Sequence, residues 1–181
     1  MIRFTPADTK HPAYSSIEQL WLDSFPSSER RETQAQRYNA DNNPQFQCYL
    51  IEDIEENQNT FIGFITVWDM KEFVYAEHLA TSPSIRNKGY GKQIMEKLLD
   101  SFPGIIILEV ERPTEEISKR RIGFYQRCGF KLCLKDYIQP PYVPGEQPLP
   151  LYLMFSGTDS IDDSFEKIRK TLYKTVYGVT E

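Results

Sequence analysis

The sequence lacks an apolar run long enough to cross a membrane. A membrane-spanning helix needs about 20 mostly apolar residues in succession, and no stretch of the 181 residues approaches that length. The first residues, MIRFTPADTKH, also lack the apolar segment of a secretory signal. These absences predict that the protein has no membrane partner and resides in the cytoplasm.

Cysteine is scarce as well, with three residues, Cys48, Cys128 and Cys133. Their odd number argues against a disulfide framework, and no spacing between them matches a metal-ligand motif. We therefore expect a reducing compartment and no bound metal.

Positive charge is not in excess. The 21 lysines and arginines are outnumbered by 26 aspartates and glutamates, which gives a formal net charge of −5. Proteins that follow nucleic acid backbones are usually basic or carry a clear basic stripe. The charge therefore argues against a nucleic acid partner, while it is compatible with a small cationic one.

The sequence does contain enough apolar material for a substantial core, with 40% hydrophobic and 13% aromatic residues. A chain of 181 residues suits one domain, and we find no internal repeat and no second domain. We predict a single domain over residues 1–181.

Strand-like and helix-like segments alternate along the chain. Short segments rich in aromatic and β-branched residues indicate strands, and apolar residues at helical spacing indicate helices. The predicted strands cover residues 1–5, 46–53, 61–68, 73–81, 105–110, 130–138 and 149–155. The predicted helices cover residues 14–25, 92–102, 113–128 and 159–177, and the polar segment 26–44 reads as loop and short helix.

The segment RNKGYG, residues 86–91, stands directly between a predicted strand and a predicted helix. Glycines at positions 89 and 91 let the backbone approach a ligand closely, and the first amides of the following helix have no partner within that helix. Such a loop binds phosphate. A P-loop is excluded because it needs four residues between its glycines, and Ile94 occupies the third glycine position of the dinucleotide-binding pattern.

In this place the pattern R-x-x-G-x-G resembles the coenzyme A pyrophosphate loop of the GNAT superfamily of N-acetyltransferases. Three nearby segments extend the resemblance: YAEHLATSPSIR is similar to the family's fourth strand and its turn, IIILEV to the fifth strand, and RRIGFYQRCGF to the second signature. Together they cover about residues 61–135. The predicted helix at 159–177 would be a C-terminal helix outside this core.

The resemblance implies an α+β fold in which a central, mostly antiparallel, twisted sheet of about seven strands is flanked by helices, with a C-terminal helix. It also implies an N-acetyltransferase that uses acetyl-CoA as acyl donor. The acceptor would be a primary amine of a small molecule or a protein, attacking directly in a ternary complex, and the chain would be a monomer or a homodimer. Two alternatives stay open: a catalytically silent module that binds coenzyme A, and an acyltransferase that uses a longer acyl-CoA.

The resemblance also implies where the cofactor binds. In the family the end of the fourth strand lies along the pantetheine, and the loop surrounds the pyrophosphate with backbone amides and positive charge. The cofactor-binding residues expected on this basis are Leu79, Ala80, Thr81, Arg86, Asn87, Lys88, Gly89, Tyr90, Gly91 and Lys92. Many members carry an asparagine early in the next helix, whereas this chain has PTEEISKRR, so that cofactor contact is in doubt.

Two residues are the catalytic candidates. In the family, the tyrosine in the position of Tyr125 sits beside the cofactor sulfur, and a phenol with a pKa near ~10 can protonate a thiolate whose conjugate acid lies near ~8.5. Glu77 is the candidate base, acting through water, because an ammonium group with a pKa near ~10.4 must lose a proton before it attacks. The neighbouring His78 should point to the opposite face of the strand, unless a β-bulge exchanges the two roles.

By analogy with the family, the acceptor approaches from the side formed by the first helix, the loop after it and the final strands. Phe25–Arg31 and Tyr137–Pro150 are therefore candidate walls of the acceptor site. Within the first segment Glu29 could attract an amine, and Arg30 or Arg31 a carboxylate, but charged loop residues are usually solvated and assign no specificity.

Overall fold

The computed structural model describes residues 1–180, and the chain divides into two compact units, residues 1–103 and residues 104–181. The elements of the first unit are β1 (Ile2–Pro6), α1 (Tyr14–Ser24), α2 (Thr33–Asn42), β2 (Phe46–Ile54), β3 (Asn59–Asp69), β4 (Val74–Thr81) and α3 (Tyr90–Ser101). Those of the second unit are β5 (Ile106–Glu111), α4 (Glu116–Arg127), β6 (Lys131–Gln139), β7 (Leu149–Ser156) and α5 (Phe165–Tyr177). All seven strands predicted from the sequence are therefore present. The assignment of residues 1–181 to a single domain remains a prediction.

The first unit is an antiparallel arrangement in which β1, β2, β3 and β4 pair in chain order. Every residue of β3 from Ile62 to Trp68 is buried. Helices pack on these strands: α1 contacts β3 and β4, and α3 contacts β1. The helices face the strands with apolar residues at helical spacing. In α1 these are Ile17, Leu20 and Trp21, and in α3 they are Ile94, Met95 and Leu98.

β4 contains a β-bulge at Glu77. Thr66 of β3 lies opposite His78, while the next residue, Val67, lies opposite Ala76. Two steps on β4 therefore span one step on β3, and Glu77 is the extra residue. A bulge changes the direction of the side chains around it, so the alternation of faces along β4 is interrupted between Glu77 and His78.

Gly63 of β3 marks a place where two backbones come together. It pairs with Thr81, and a Cβ atom built on Gly63 would lie 2.0 Å from the carbonyl oxygen of Ala80. Since that oxygen belongs to the backbone of β4, no side-chain movement can relieve the overlap. A glycine is therefore required here for space.

We expect Gly63→Ala to lower the free energy of unfolding by about 1 to 3 kcal/mol, the usual range for overpacking, as measured by chemical denaturation. Gly123→Ala is the matched control. Its Cβ would meet only the tip of the Arg127 side chain, at 3.3 Å, and alanine is favoured over glycine within a helix by up to about 1 kcal/mol. Equal effects of the two variants would contradict the close approach at Gly63.

In the second unit, β7 pairs antiparallel with β5 on one side and with β6 on the other. The IIILEV segment forms β5 as predicted, and its apolar residues are buried on both faces: Ile106, Ile107, Leu108 and Val110. Within residues 1–180 no helix combines the length and the apolarity needed to cross a bilayer.

Two helices begin later than the sequence predicts. The amide of Thr114 donates to the carbonyl of Arg112 in a tight turn, and Glu115 is extended, so α4 starts at Glu116 and not at Pro113. Before α5, Ile161 is buried one helical turn ahead of Phe165. The spacing between Ile161 and Phe165 is that of a helix, although residues 161–164 form a separate turn.

Candidate active site

The loop before α3 contains two residues in the left-handed region of backbone conformation. Asn87 has φ 65° and Gly89 has φ 79°, and α3 begins directly after Gly89. A side chain at Gly89 would meet nothing within 4 Å, so the glycine is favoured for its backbone conformation. Left-handed residues in a turn arrange successive amides into an anion-binding concavity, and the N-terminus of α3 adds its positive end.

Charged side chains surround this loop. Arg86, Lys88 and Lys92 are all exposed, and Lys92 lies 3.7 Å from Glu96 one turn along α3. Exposed pairs of this kind are weak, so the lysine remains available to an anion. The loop has the local structure and charge of a phosphate site.

Tyr90, the first residue of α3, connects this loop to a neighbouring strand. Its hydroxyl donates a hydrogen bond to the carboxylate of Asp53 on β2, at 2.9 Å. This hydrogen bond could not be predicted from the sequence, since the two residues are 37 positions apart.

The predicted pantetheine-binding residues lie at the end of β4. Leu79 is opposite Ile65, and Thr81 is opposite Gly63. Ala80 is buried, while Leu79 and Thr81 are half-buried. This part of β4 lies beyond the bulge and keeps regular pairing with β3.

The side chain of Glu77 has no exposed surface and is paired with Arg31, whose own side chain is 7% exposed. The guanidinium of Arg31 contacts both carboxylate oxygens of Glu77. Thr66 donates to the same carboxylate from 3.2 Å and the indole N–H of Trp68 from 3.1 Å. Burial alone would raise the pKa of Glu77, but the positive charge of Arg31 and these hydrogen bonds outweigh it and lower the pKa to about 2.

Arg31 is held in place by more than its ion pair. It also donates to the side-chain oxygen of Gln36 on α2, and its guanidinium lies 5.7 Å from the ring centre of Phe46 and 5.5 Å from that of Trp68. Two aromatic faces at this distance stabilise a cation. The sequence offers Arg31 as a possible partner for a substrate carboxylate, and the structure gives it the internal carboxylate of Glu77 instead.

His78 does not point away from Glu77, which corrects the expectation of opposite faces. Its Nδ1 atom lies 3.8 Å from the Glu77 carboxylate, because the bulge interrupts the alternation. The indole N–H of Trp21 donates to Nδ1 at 3.2 Å, and Nε2 lies 3.0 Å from the carbonyl oxygen of Glu29. These partners place the proton on Nε2, and burial lowers the pKa of His78, so the ring is neutral at pH 7.

Tyr125 lies on α4 between two other aromatic rings. The ring centres of Phe124 and Phe130 are 5.4 Å and 6.1 Å away. Burial raises the pKa of Tyr125, an effect that the charge of Arg121 only partly offsets. The phenol therefore stays protonated at neutral pH and can serve as a proton donor.

The end of α4 fixes the backbone around Tyr125. Gly129 has φ 95°, a left-handed conformation that ends α4, and the amide of Phe130 donates back to the carbonyl of Tyr125 at 3.0 Å. This bond satisfies a carbonyl that the helix leaves without a partner. The second signature thus holds its tyrosine by a capped helix end.

The second unit contains a group of hydrogen-bonded polar side chains that the sequence did not predict. The Glu109 carboxylate on β5 accepts hydrogen bonds from the Tyr137 hydroxyl, the Gln139 amide and the Tyr177 hydroxyl. The ring of Tyr142 stacks at a tilt on Tyr177, with 5.0 Å between ring centres. We call these five residues the Glu109 cluster. The sequence predicted residues 137–150 as a wall of the acceptor site. It did not predict the cluster as a whole, because the members come from four separate segments.

Among residues 1–180, no group of three or more histidine, cysteine, aspartate or glutamate side chains is arranged to hold a metal ion.

Comparison with known proteins places the chain in a family. Residues 14–130 match the acetyltransferase (GNAT) family. A structure assigned to that family from Bacteroides thetaiotaomicron is 46% identical, with 98% of this chain and 99% of that chain covered and a TM-score of 0.92. Among proteins with curated descriptions, none matches the chain.

Two more distant structures share the fold alone. A spermidine N-acetyltransferase from Vibrio cholerae, in complex with CoA and spermine, is 15% identical, covers 85% of this chain and 94% of its own, and has a TM-score of 0.61. NAA60 from Arabidopsis thaliana, in complex with a bisubstrate analogue, is 18% identical, covers 88% of this chain and 100% of its own, and has a TM-score of 0.62.

The chain belongs to the GNAT family of acetyltransferases. It is an N-acetyltransferase, and the predicted α+β fold class with its mostly antiparallel strands, flanking helices and C-terminal helix is confirmed.

Proposed function

We propose that the protein transfers the acetyl group of acetyl-CoA to a primary amine of a small molecule or a protein, by direct attack in a ternary complex. The observation that carries the proposal is the loop before α3, in which Asn87 and Gly89 are left-handed and a helix N-terminus follows. A backbone of this kind can bind a pyrophosphate group through its amides. The spermidine N-acetyltransferase that shares the fold was solved with CoA and spermine, which supports the same classes of donor and acceptor here.

The cofactor would be held at two places in the first unit. The backbone of Leu79, Ala80 and Thr81 at the end of β4 would bind the pantetheine amides. The amides of the loop before α3 would bind the pyrophosphate, with the charges of nearby basic side chains adding to them. The loop residues assigned in this way are Arg86, Asn87, Lys88, Gly89, Tyr90, Gly91 and Lys92. When bound, the cofactor supplies an activated acetyl thioester.

We expect Tyr90→Phe to raise the KM for acetyl-CoA about two- to fivefold while kcat stays unchanged. The variant removes the hydrogen bond to Asp53, and one such bond contributes about 0.5 to 1 kcal/mol net at a part-exposed site. Steady-state kinetics with varied acetyl-CoA measure the effect. Tyr38→Phe, at a 66% exposed phenol on α2, is the control. A fall in kcat of Tyr90→Phe without a change in its KM would contradict a role of the hydrogen bond to Asp53 in acetyl-CoA binding.

Tyr125 is the proposed acid that protonates the departing thiolate of coenzyme A. Its pKa is raised by burial, so its hydroxyl carries a proton at neutral pH. A thiol has a pKa near ~8.5, and proton transfer from a phenol during the departure of the thiolate is one step of general acid catalysis.

Glu77 is proposed to assist the deprotonation of the amine only through water. Its pKa of about 2 makes it a weak base, and its side chain has no surface that a substrate ammonium could contact. His78 is less suited to the role of base because both of its ring nitrogens already have protein partners. The arrangement favours water as the first proton acceptor, with the negative charge of Glu77 held nearby.

The release of CoA thiol tests the proposal. The wild-type protein is incubated with acetyl-CoA and, in turn, polyamines, amino acids, aminoglycosides, amino sugars and lysine peptides. Release that depends on the amine, together with the acetylated product by mass spectrometry, is expected for at least one class. Silence with every amine while acetyl-CoA still binds would contradict the proposal and support a silent coenzyme A-binding module. Release with propionyl-CoA alone would reassign the donor to a longer acyl-CoA.

A further inference from the structure

We propose that His78 is a positioning residue: its ring fixes the segment of residues 25–31 beside the place of acetyl transfer, and through that segment it determines how the acceptor amine binds. The inference rests on the proposed function, because it assigns a role in the same reaction. It uses contacts within the first unit alone, and it gives His78 a task other than that of a base.

The order of the two proposed acetyl-CoA contacts along the chain locates the thioester. The pyrophosphate loop, residues 86–91, follows the end of β4, and the pantetheine would lie along Leu79, Ala80 and Thr81. A donor bound in this way runs from the loop back along the strand, so its thioester would lie past Leu79, on the side of His78. An amine that attacks the thioester must therefore approach the groups that surround His78.

His78 holds the segment by a hydrogen bond to its backbone. The indole N–H of Trp21 donates to Nδ1 at 3.2 Å, so Nδ1 is an acceptor and the proton of the neutral ring lies on Nε2. Nε2 lies 3.0 Å from the carbonyl oxygen of Glu29, an atom that can only accept, so the ring donates to the segment. A ring that accepts at one nitrogen and donates at the other is fixed in its orientation.

Two further residues of the segment pack around the same pair of rings. The ring centre of Phe25 lies 4.3 Å from that of His78. The Nε atom of Arg30 donates to the carbonyl of Phe25 at 2.9 Å, and its guanidinium lies 5.2 Å from the ring centre of Trp21. The two ends of the segment are thereby joined to each other, and both are held against Trp21 and His78.

The outer side of the segment remains accessible. Residues 26–28 are exposed, while Phe25 and Glu29 are half-buried. Loops that a rigid scaffold positions commonly carry binding residues, and the precision of such a site depends on the residues that support it from behind. His78 therefore acts on the acceptor through the segment and needs no contact with the acceptor itself.

The test compares two substitutions of His78. The amide of glutamine keeps one acceptor and a donor but has no group that takes up a proton at neutral pH, whereas leucine keeps neither. We expect His78→Leu to raise the KM for the amine with the highest kcat/KM about three- to tenfold, as the loss of one hydrogen bond implies. The KM for acetyl-CoA and kcat should stay within about twofold of the wild type, and His78→Gln should restore the amine KM to the same range.

Hydrogen–deuterium exchange reports on the segment directly. The amides of Phe25 and Glu29 donate to the carbonyls of Trp21 and Pro26, so their exchange depends on how well the segment is held. In His78→Leu both amides should exchange at least about threefold faster, and in His78→Gln they should exchange at the wild-type rate. The amides of α3 are the internal reference and should not change.

A variant on the segment keeps the test independent of changes inside the core. Arg30→Leu removes the hydrogen bond to the carbonyl of Phe25 at a half-buried side chain. It should raise the amine KM in the same direction as His78→Leu. Arg3→Leu is the matched control, since it removes an arginine from an exposed pair with Glu52, and it should change neither the amine KM nor the exchange of the segment.

Turnover of the wild-type protein separates this inference from the proposed function. Release of CoA thiol by the wild type, with an unchanged amine KM in His78→Leu, would support the function and overturn the inference. Unchanged exchange of the segment in His78→Leu would overturn it too. A loss of kcat in both His78 variants at unchanged KM would assign His78 to the chemical step and likewise overturn it.

A wild-type protein that releases no thiol with any amine would contradict the proposed function, and the role of His78 in acceptor binding with it. The exchange measurement would then still decide whether His78 fixes the segment, because it requires neither an acceptor nor turnover.

Discussion

Replacement of Glu77 by glutamine should lower the free energy of unfolding by about 3 to 5 kcal/mol, the range found when one member of a buried ion pair is removed. The side chains of Glu77 and Arg31 are 0% and 7% exposed. Without the carboxylate, the guanidinium of Arg31 would stay buried with its charge uncompensated by Glu77. Chemical denaturation at neutral pH measures the loss.

Two variants control for this interpretation. Glu52→Gln removes the carboxylate of a surface pair with Arg3, whose side chain is 48% exposed, and should cost no more than about 1 kcal/mol. The double variant Arg31→Met with Glu77→Gln should recover part of the stability that Glu77→Gln loses, because it removes the isolated charge. A loss below about 1 kcal/mol for Glu77→Gln would show that Arg31 reaches water or another carboxylate.

The pH dependence of stability provides an independent readout of the same pair. Glu77 has a pKa of about 2 in the folded protein and near ~4.3 in an unfolded chain. A carboxylate with a depressed pKa stabilises the fold above its unfolded pKa, and that stabilisation is lost as the pH falls toward the folded value. Wild-type stability should therefore decline between about pH 4.3 and pH 2, and Glu77→Gln should lack this part of the decline.

The parts of the site that depend on neighbouring residues could be predicted from the sequence. The glycines at positions 89 and 91 predicted a loop directly before a helix, and α3 begins directly after Gly89. Gly129 follows the predicted helix 113–128, and it is left-handed where α4 ends. Such features require only a local backbone conformation that few residues other than glycine adopt, so a short stretch of sequence determines them.

The surroundings of the candidate base could not be predicted in this way. Arg31 and Glu77 are 46 positions apart, and Trp21 and His78 are 57 apart. Their contacts arise because α1 packs on β4 and because the bulge at Glu77 reorients two adjacent side chains. The sequence predicted an acidic residue and a histidine in the strand that the structure shows as β4. The pKa of each, however, depends on partners that only the tertiary structure brings near.

Tyr125→Phe should lower kcat about 10²- to 10⁴-fold, the usual contribution of a general acid or base. The substitution removes only the hydroxyl, and the ring keeps its contacts with Phe124 and Phe130. The free energy of unfolding and the KM for acetyl-CoA should therefore change little. A thiolate that leaves without a proton is a poorer leaving group, which explains why the whole effect is expected in kcat.

The measurement is CoA-thiol release with the best acceptor from the amine panel, under saturating and limiting substrate. Tyr152→Phe on β7 is the matched control, since it removes the phenol hydroxyl from a ring whose centre lies 4.8 Å from the guanidinium of Arg112 and should leave kcat unchanged. Because burial raises the pKa of Tyr125, ionisation of this phenol should not limit the wild-type rate below about pH 10. A variant as active as the wild type would mean that solvent protonates the thiolate, and the structural role of Tyr125 in the aromatic contacts of α4 would then be its only one.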